Sequence, residues 1–260
     1  MYDRLIPNFA RRSKEAELID GTNYGLDEYV SQMADLRRIN RYLGGKGALT
    51  RHLYPMIEAA GQQQVRLLDI GTGSADIPIS VVEWARQRGL QAEFTVIDLN
   101  EIAAMEARKL TRLYPEIKVI RANALKLPFA DNSFDFVMAS LFVHHFDSPE
   151  VSKLLRDFSR IARQAFIIND LRRHPLAYLT IRILTRMFTR NRLVRHDSAV
   201  SVLRGFTDKD IAEIEKESNL RLEVFRHFPY RYIFINRRPF RDFLMAESNN
   251  HDNRRSVESF

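Results

Sequence analysis

The stretch LLDIGTGSADIPIS, residues 67–80, ends an apolar run in two glycines one residue apart, Gly71 and Gly73, and then turns into a helical pattern. Glycines at the end of a strand let the backbone come close to a ligand, and the free N–H groups opening the next helix face it. A phosphate-binding loop is excluded, because no Gly-Lys-Ser/Thr follows. The dinucleotide fingerprint G-x-G-x-x-G fails as well, since its third glycine would fall at Asp76. Alone, the G-x-G reads equally well as a tight strand-to-helix turn. Asp98 closes the next β-like run, TVIDLN, 27 residues after Gly71. A carboxylate there can accept both hydroxyls of a ribose lying across the first turn, or cap the following helix, or do both. Further on, NALKLPFADNSFDFVMAS carries Asn123 and Ala124 through a turn into a strand ending at Ser140. Asn123 is also an ordinary turn former. The chain has no cysteine, which excludes disulfides, thiolate metal sites and a cysteine nucleophile.

Residues at these spacings need a scaffold of alternating elements. The runs VRLLDI, EFTVID, KVIRA, FDFVMAS and AFIIND alternate with helical patterns over 74–88, 101–113 and 149–162, which predicts repeated strand–helix units on a parallel sheet. Ahead of them, apolar residues at Met33, Leu36, Ile39 and Leu43 mark a helix from about Leu26, broken by Gly44, Gly45 and Gly47 before a second from Ala48 to Ala60. After Asp170 comes an arginine-rich segment of one or two helices, then a helix near 207–218. The closing runs LRLEVFRHF and YRYIFIN are separated only by Pro229 and its neighbours, so they must pair antiparallel. The expected organisation is a helical lid over 1–60, a core over 61–170, a helical cap insert over 171–205, completion of the sheet over 206–240, and a polar tail over 241–260.

LLDIGTGSADIP, VIDLN and NALKLPFADNSFDFVMAS, in that order on those elements, resemble the successive motifs of class I S-adenosylmethionine-dependent methyltransferases, nearest the small-molecule branch that includes quinone-biosynthesis enzymes. The resemblance covers roughly 65–170 and departs at Ala75, where many members have a third glycine. It implies an α/β fold: a Rossmann-like seven-stranded sheet with an antiparallel last strand, N-terminal helices and a helical insert after the fifth strand. It also implies an enzyme that uses S-adenosylmethionine and releases S-adenosylhomocysteine. Gly71 and Gly73 would face the methionine part of the cofactor, with Asp69, Thr72 and Ser74 lining the turn. Asp98 would bind the ribose and Leu99 would lie on the adenine. Asn123 and Ala124 would address the adenine edge, and Ser140 and Leu141 the methionine end.

Methyl transfer is an in-line displacement in which proximity and orientation do much of the work. A phenolic acceptor with a pKa of ~10 gains from a base near neutral pH. SLFVHHFD supplies His144 and His145 just past the fourth strand, where similar enzymes often carry histidine. His145 is the preferred base, and a structural role in the loop is the alternative for both. Asn169 and Asp170 end the fifth strand, with Arg172 just beyond; these would line the acceptor pocket or tie down the next segment. A metal is not expected, because the fourth strand ends Met-Ala-Ser and offers no carboxylate to share a cation with Asp170.

The net charge of +7 is local: Leu171 to Arg204 holds eight arginines and one carboxylate, Asp197. Arg182, Arg186 and Arg190 recur every four residues, with Leu176, Leu179, Ile183 and Met187 available as an apolar face. The favoured reading is a cap over the acceptor pocket, apolar face inward and arginines in water. Peripheral membrane contact through 175–195 is a second reading, and RNA phosphate contact a third. DLRRINRYLGGKG could close on the cofactor or simply pack. No run reaches the ~20 apolar residues of a membrane span, and the first residues lack the core of a secretory signal, so the expected location is cytoplasmic. The expected function is methylation of a small, fairly apolar acceptor, with O-methylation of a phenolic hydroxyl preferred. RNA methylation and a non-catalytic S-adenosylmethionine-binding module are the alternatives. The sequence gives no oligomeric state.

Overall fold

The segment from Val65 to Ile70 carries apolar residues for both faces, the signature of a strand covered by helices on either side. A computed structural model describes residues 7–21, 23–42 and 44–238. It places this segment as β1 (Gln64–Ile70) inside a seven-stranded sheet with β2 (Gln91–Asp98), β3 (Ile117–Arg121), β4 (Phe134–Ser140), β5 (Ala162–Leu171), β6 (Glu223–His227) and β7 (Arg231–Arg237). The order is β3-β2-β1-β4-β5-β7-β6, and β7 runs antiparallel to both neighbours, as expected of the closing pair. The order reverses between β1 and β4, so a crevice opens outside their carboxyl ends.

Two cores follow from strand alternation. Val65 and Leu67 face α2 (Gly45–Ala59) and α3 (Asp76–Arg86), while Leu68 and Ile70 face α5 (Ser148–Ile161) and α8 (Asp208–Ser218). α4 (Glu101–Leu110) lies against β2 and β3. α5 starts where it does because Asp147 and Glu150 form a capping box, each side chain accepting the other's backbone N–H at 3.0 and 3.2 Å. The predicted N-terminal lid divides in two. α2 buries Leu49, Leu53 and Ile57 in the sheet's core, whereas α1 (Leu26–Tyr42) and an extended strap from Ile6's successor Pro7 to Gly21 lie over the crevice side. Leu43 and the predicted tail over 241–260 lie outside the described residues.

The arginine-rich insert forms α6 (Pro175–Phe188) and α7 (Arg192–Arg204), packed on each other. Its orientation corrects the sequence reading. α6 turns Ala177, Ile181 and Thr185 inward and leaves Leu176, Leu179, Ile183, Met187 and Phe188 exposed, Met187 at 70%. The reason is space: small Ala177 and the short Thr185, whose hydroxyl bonds back to the carbonyl of Ile181, allow close approach where the larger side chains would not. The lone carboxylate of the insert, Asp197, is buried and ties three segments together. It accepts the backbone N–H groups of Leu18 and Ile19 in the strap at 2.7 and 3.1 Å and the amide of Gln32 in α1 at 3.0 Å.

Where α7 ends, Gly205 meets β5 so closely that an added Cβ would stand 2.7 Å from the carbonyl oxygen of Leu171. Gly205→Ala should therefore cost about 1–3 kcal/mol of stability, read as a lower denaturant midpoint with an unchanged slope. An unchanged midpoint would show that the insert is not seated on β5 at this point.

Candidate functional site

A cavity of about 700 Å³ opens at the carboxyl edge of β1, β2 and β4 and continues beneath α1, α6 and α7. It is lined by all eleven residues expected to hold the cofactor: Asp69, Gly71, Thr72, Gly73, Ser74, Asp98, Leu99, Asn123, Ala124, Ser140 and Leu141.

The turn between β1 and α3 is wound by left-handed residues. Gly71 and Gly73 have φ of +69° and +53°, and Ala75 has φ of +55°. The last value explains the departure at Ala75: this position calls for the conformation glycine adopts freely, and alanine adopts it at a cost of ~1 kcal/mol. Gly71 also lies under the ring of Phe142, which an added Cβ would meet at 2.1 Å. Asp98 faces the turn, accepting the N–H of Gly73 at 3.0 Å and that of Asn100 at 2.9 Å. Burial raises its pKa, while those two N–H groups oppose the rise. The helix cap is Asn100, whose side chain accepts from Ile102 and Ala103, so Asp98 is spared that task. Leu99 is 58% exposed on the cavity, an apolar surface with nothing over it. Asn123 does what a turn residue does, accepting the N–H of Leu125 at 2.9 Å, while still lining the cavity. Asp69 is fully buried, which pushes its pKa to about 7 despite the Thr72 hydroxyl it holds at 2.6 Å.

His144 and His145 also line the cavity, but in different states. His144 is buried between two carboxylates, with Nδ1 2.7 Å from Asp170 and Nε2 3.3 Å from Glu17. Burial alone would lower its pKa; the charge and hydrogen bond of Asp170, joined by Glu17, outweigh it and lift the pKa to about 9. A ring already protonated at neutral pH cannot take a proton, so His144 drops out as a base. His145 stacks on His144 with ring centroids 4.4 Å apart and places Nδ1 3.2 Å from Asp20. Glu17, His144 and His145 bring ligand atoms within 4.8 Å of one another. Charge balance there is nonetheless met by the proton of His144 and by Arg12 and Arg204, which donate to the carbonyl of His144.

The three residues expected to bind the acceptor do not line the cavity. Asp170 is fully buried and committed to His144 and to the N–H of Leu171 at 2.7 Å. Asn169 is equally buried and ties α2 to β4, donating to the carbonyl of Gly45 at 3.1 Å and to the hydroxyl of Ser140 at 2.9 Å. Arg172 points its guanidinium over the ring of Tyr232. All three read as edge residues in the sequence because they end a strand or follow it, yet Asn169 and Asp170 are buried in their own hydrogen bonds and the half-buried Arg172 turns toward Tyr232. Their place on the wall is taken by residues the sequence did not single out: Glu17 and Asp20 from the strap, Gln32 and Asn40 from α1, Ser198 from α7, and Tyr230 and Arg231 from the β6–β7 turn. No local motif marks them, since they come from four separate segments.

Residues 68–167 match the methyltransferase domain family. A ubiquinone/menaquinone biosynthesis C-methyltransferase, UbiE, of Rickettsia prowazekii is 33% identical over 100 residues, a stretch that is 37% of this chain and 40% of that protein. The chain thus matches well under half the length of such curated relatives. Among solved structures, a SAM dependent methyltransferase from Aquifex aeolicus aligns with a TM-score of 0.51 at 16% identity, over 70% of this chain and 87% of its own. Magnesium protoporphyrin IX methyltransferase (ChlM) from Synechocystis PCC 6803 with bound SAH aligns with a TM-score of 0.52 at 15% identity, over 75% and 84%. These two share the fold. The family match ends at 167, before the insert and the β6–β7 turn that roof the cavity.

The charged trio sets a pH dependence. The pKa of His144 is raised from 6.5 to about 9, so its contribution to stability is full below about pH 6.5 and is lost as pH climbs through 9. The depressed pKa values of Glu17 and Asp170 act at the other end, where stability falls as those groups are protonated in acid. Thermal unfolding of the wild type should drop more steeply between pH 6.5 and 9.5 than that of His144→Asn, which starts lower because Asp170 is left unpaired. Parallel curves for the two proteins would refute the cationic assignment of His144.

Proposed function

We propose, for a chain whose residues 68–167 are a methyltransferase domain of the class I, S-adenosylmethionine-dependent kind, that it methylates a small, apolar, hydroxyl-bearing acceptor held under α1, α6 and α7. The observation that carries the reading is the continuity of one cavity. From the glycine turn it runs into a chamber walled by Leu36, Ile39, Ala177, Ile181, Leu184 and Val202.

Bound at the turn, S-adenosylmethionine supplies an electrophilic methyl on a sulfonium sulfur and leaves as S-adenosylhomocysteine. The residues fit that group: backbone free of Cβ at Gly71 and Gly73, a carboxylate at Asp98 for two ribose hydroxyls, and the open side chain of Leu99 for the adenine. Asn123 and Ala124 flank the adenine edge, and Ser140 and Leu141 the methionine end. Phe142, over Gly71, and the strap shield the reacting end from water. His145 is the residue placed to take a proton from the acceptor, and His144 positions it by stacking. The methyl ends on the hydroxyl oxygen, as the sequence led us to expect, or on the ring carbon beside it, as the names of the curated relatives suggest. The residues that choose between the two lie outside the family match.

The outer face of α6 gives such an acceptor a source. Leu176, Leu179, Ile183, Met187 and Phe188 form an exposed apolar stripe with Arg186 and Arg190 exposed beside it. Arginines bordering an apolar stripe suit an anionic lipid surface, the side chains entering the acyl boundary while the guanidinium groups stay at the headgroups. RNA contact would leave those apolar side chains in water, so we do not favour it. No helix among the described residues is long and apolar enough to cross a membrane.

Two experiments test these readings. Protein incubated with methyl-labelled S-adenosylmethionine and a lysate divided into small-molecule, lipid and RNA fractions should label the lipid-soluble or small-molecule fraction, and NMR of the product locates the methyl. Asp98→Ala, run alongside, should lose cofactor affinity by ~10-fold or more in calorimetry. Label confined to RNA, or unaltered cofactor binding by the variant, would overturn the respective part. Separately, the protein should sediment with vesicles containing phosphatidylglycerol but not with phosphatidylcholine alone, and Ile183→Asp/Met187→Asp should abolish this without lowering thermal stability. Equal sedimentation of the variant would remove α6 as the contact.

A further inference from the structure

Arg231 begins β7, paired across the sheet with Leu171 at the end of β5, and is 2% exposed. Arg231 is among the residues that line the cavity. One terminal nitrogen, Nη2, donates to the side chain of Asn40 at 3.1 Å. Nε and Nη1 are buried with no hydrogen-bond partner. A guanidinium has five N–H donors and cannot shed its charge at neutral pH, so two buried nitrogens without acceptors carry a heavy desolvation cost. Burial lowers the pKa to about 10, opposed by the charge of Asp170, but that carboxylate is spent on His144 and the N–H of Leu171. Arg231 thus lacks a carboxylate of its own, in a chain where the other buried arginine of this region, Arg173, has Asp210 at 2.8 Å.

The surroundings hold the group in place. Gly45 opens α2 directly against it, and an added Cβ would stand 3.1 Å from Nη2. The carbonyl of Gly45 is held by Asn169, which also holds the hydroxyl of Ser140 at the end of β4. Three short contacts therefore connect the guanidinium to the place where the methionine end of the cofactor is expected.

We propose that Arg231 is the anchor for an anionic oxygen on the methyl acceptor, a carboxylate or an ionised phenol, which docks on its guanidinium with the apolar body of the acceptor between α1 and α6. This rests on the methyltransferase reading and sharpens it. The acceptor is amphipathic, with its charged oxygen facing the interior and its apolar part under the roof. A guanidinium suits a carboxylate or a phenolate as a charge-assisted hydrogen-bond partner whose N–H groups are fixed in one plane.

The test uses protein saturated with S-adenosylhomocysteine and four naphthalene probes in calorimetry: 2-naphthoate and its neutral methyl ester, 2-naphthol and its neutral methyl ether. The wild type should bind at least one oxygen-acid probe about tenfold or more tighter than its neutral partner. Preference within the naphthoate pair identifies a carboxylate acceptor, and preference within the naphthol pair a phenolic one. Arg231→Gln should erase the preference while S-adenosylhomocysteine affinity stays as in the wild type. Arg231→Lys, which keeps the charge and loses the fork, should retain part of it and serves if the glutamine variant does not fold. No preference in the wild type, or the same preference in either folded variant as in the wild type, would overturn the proposal while leaving cofactor use intact. A loss of S-adenosylhomocysteine affinity in Arg231→Gln would assign the guanidinium to the cofactor's own carboxylate and overturn it too. Failure of the wild type to bind S-adenosylhomocysteine would instead defeat the methyltransferase reading beneath it.

Discussion

A carboxylate buried at the end of a central strand must be neutralised, and much of the site's outer wall follows from how this is done at Asp170. The fully buried side chain takes a charged imidazole from His144, which draws the loop after β4 inward. His144 then presents its second nitrogen to Glu17, so the strap is pinned over the same point. An ion pair of this kind need not add net stability, because desolvation offsets much of the attraction. Its value lies in geometry: once any member is placed, the other two have one position each. Arg12 and Arg204 complete the arrangement from the strap and α7, both donating to the carbonyl of His144.

That lock has a counterpart at Asp197. The insert is an arginine-rich pair of helices with one carboxylate, and that carboxylate faces inward to accept from the strap and from α1. Strap, α1 and insert are thus joined to one another through Asp197 and to the core through His144 and Asp170. Two buried polar clusters hold the roof, with apolar contacts such as Ala177, Ile181 and Val202 filling between them. The inside of α6 carries Ala177, Ile181 and Thr185, while Leu176, Leu179, Ile183 and Met187 are displayed outside, which the helical spacing of the sequence could not distinguish from an inward face.

The sequence located the residues around the glycine turn far better than the rest of the cavity wall, and the reason is physical. Gly71 and Gly73 act through backbone conformation at a strand end, and Asp98 ends the next strand facing them, so all three depend on a few neighbouring residues and leave a local pattern. Strand alternation and the short link around Pro229 likewise fixed the parallel core and its antiparallel closing strand. His144 was visible as a residue with chemistry, but its state depends on Asp170 and Glu17, 26 residues later and 127 earlier in the chain. Arg231 was hidden in an ordinary strand start, YRYIFIN, and nothing in its neighbours announces a buried cation without an anion. Asn169, Asp170 and Arg172 were misplaced for the converse reason. A strand's carboxyl end faces the crevice only where no other segment takes it up, and here α2 holds Asn169 and the loop after β4 holds Asp170.

This division bears on how the molecule divides its chemistry. The part that matches the methyltransferase domain family supplies the glycine turn, Asp98 and the neighbouring Leu99, Asn123 and Ala124, all set by one continuous stretch of chain. The rest of the cavity wall is assembled from the strap, α1, the start of α2, the insert and the β6–β7 turn, segments that lie before residue 68 or after residue 167. The two parts meet through side chains from several of these segments: Asn100 donates to the hydroxyl of Tyr24, Asp20 faces His145, and Arg12 and Arg204 donate to the carbonyl of His144. A fold built in this way keeps the methyl donor in a fixed place while the roof sets which atom is brought to it. In this chain the roof surrounds an apolar chamber and a buried cation, Arg231, without a carboxylate of its own. On the reading proposed above, these two features restrict the acceptor more tightly than any residue of the family match does.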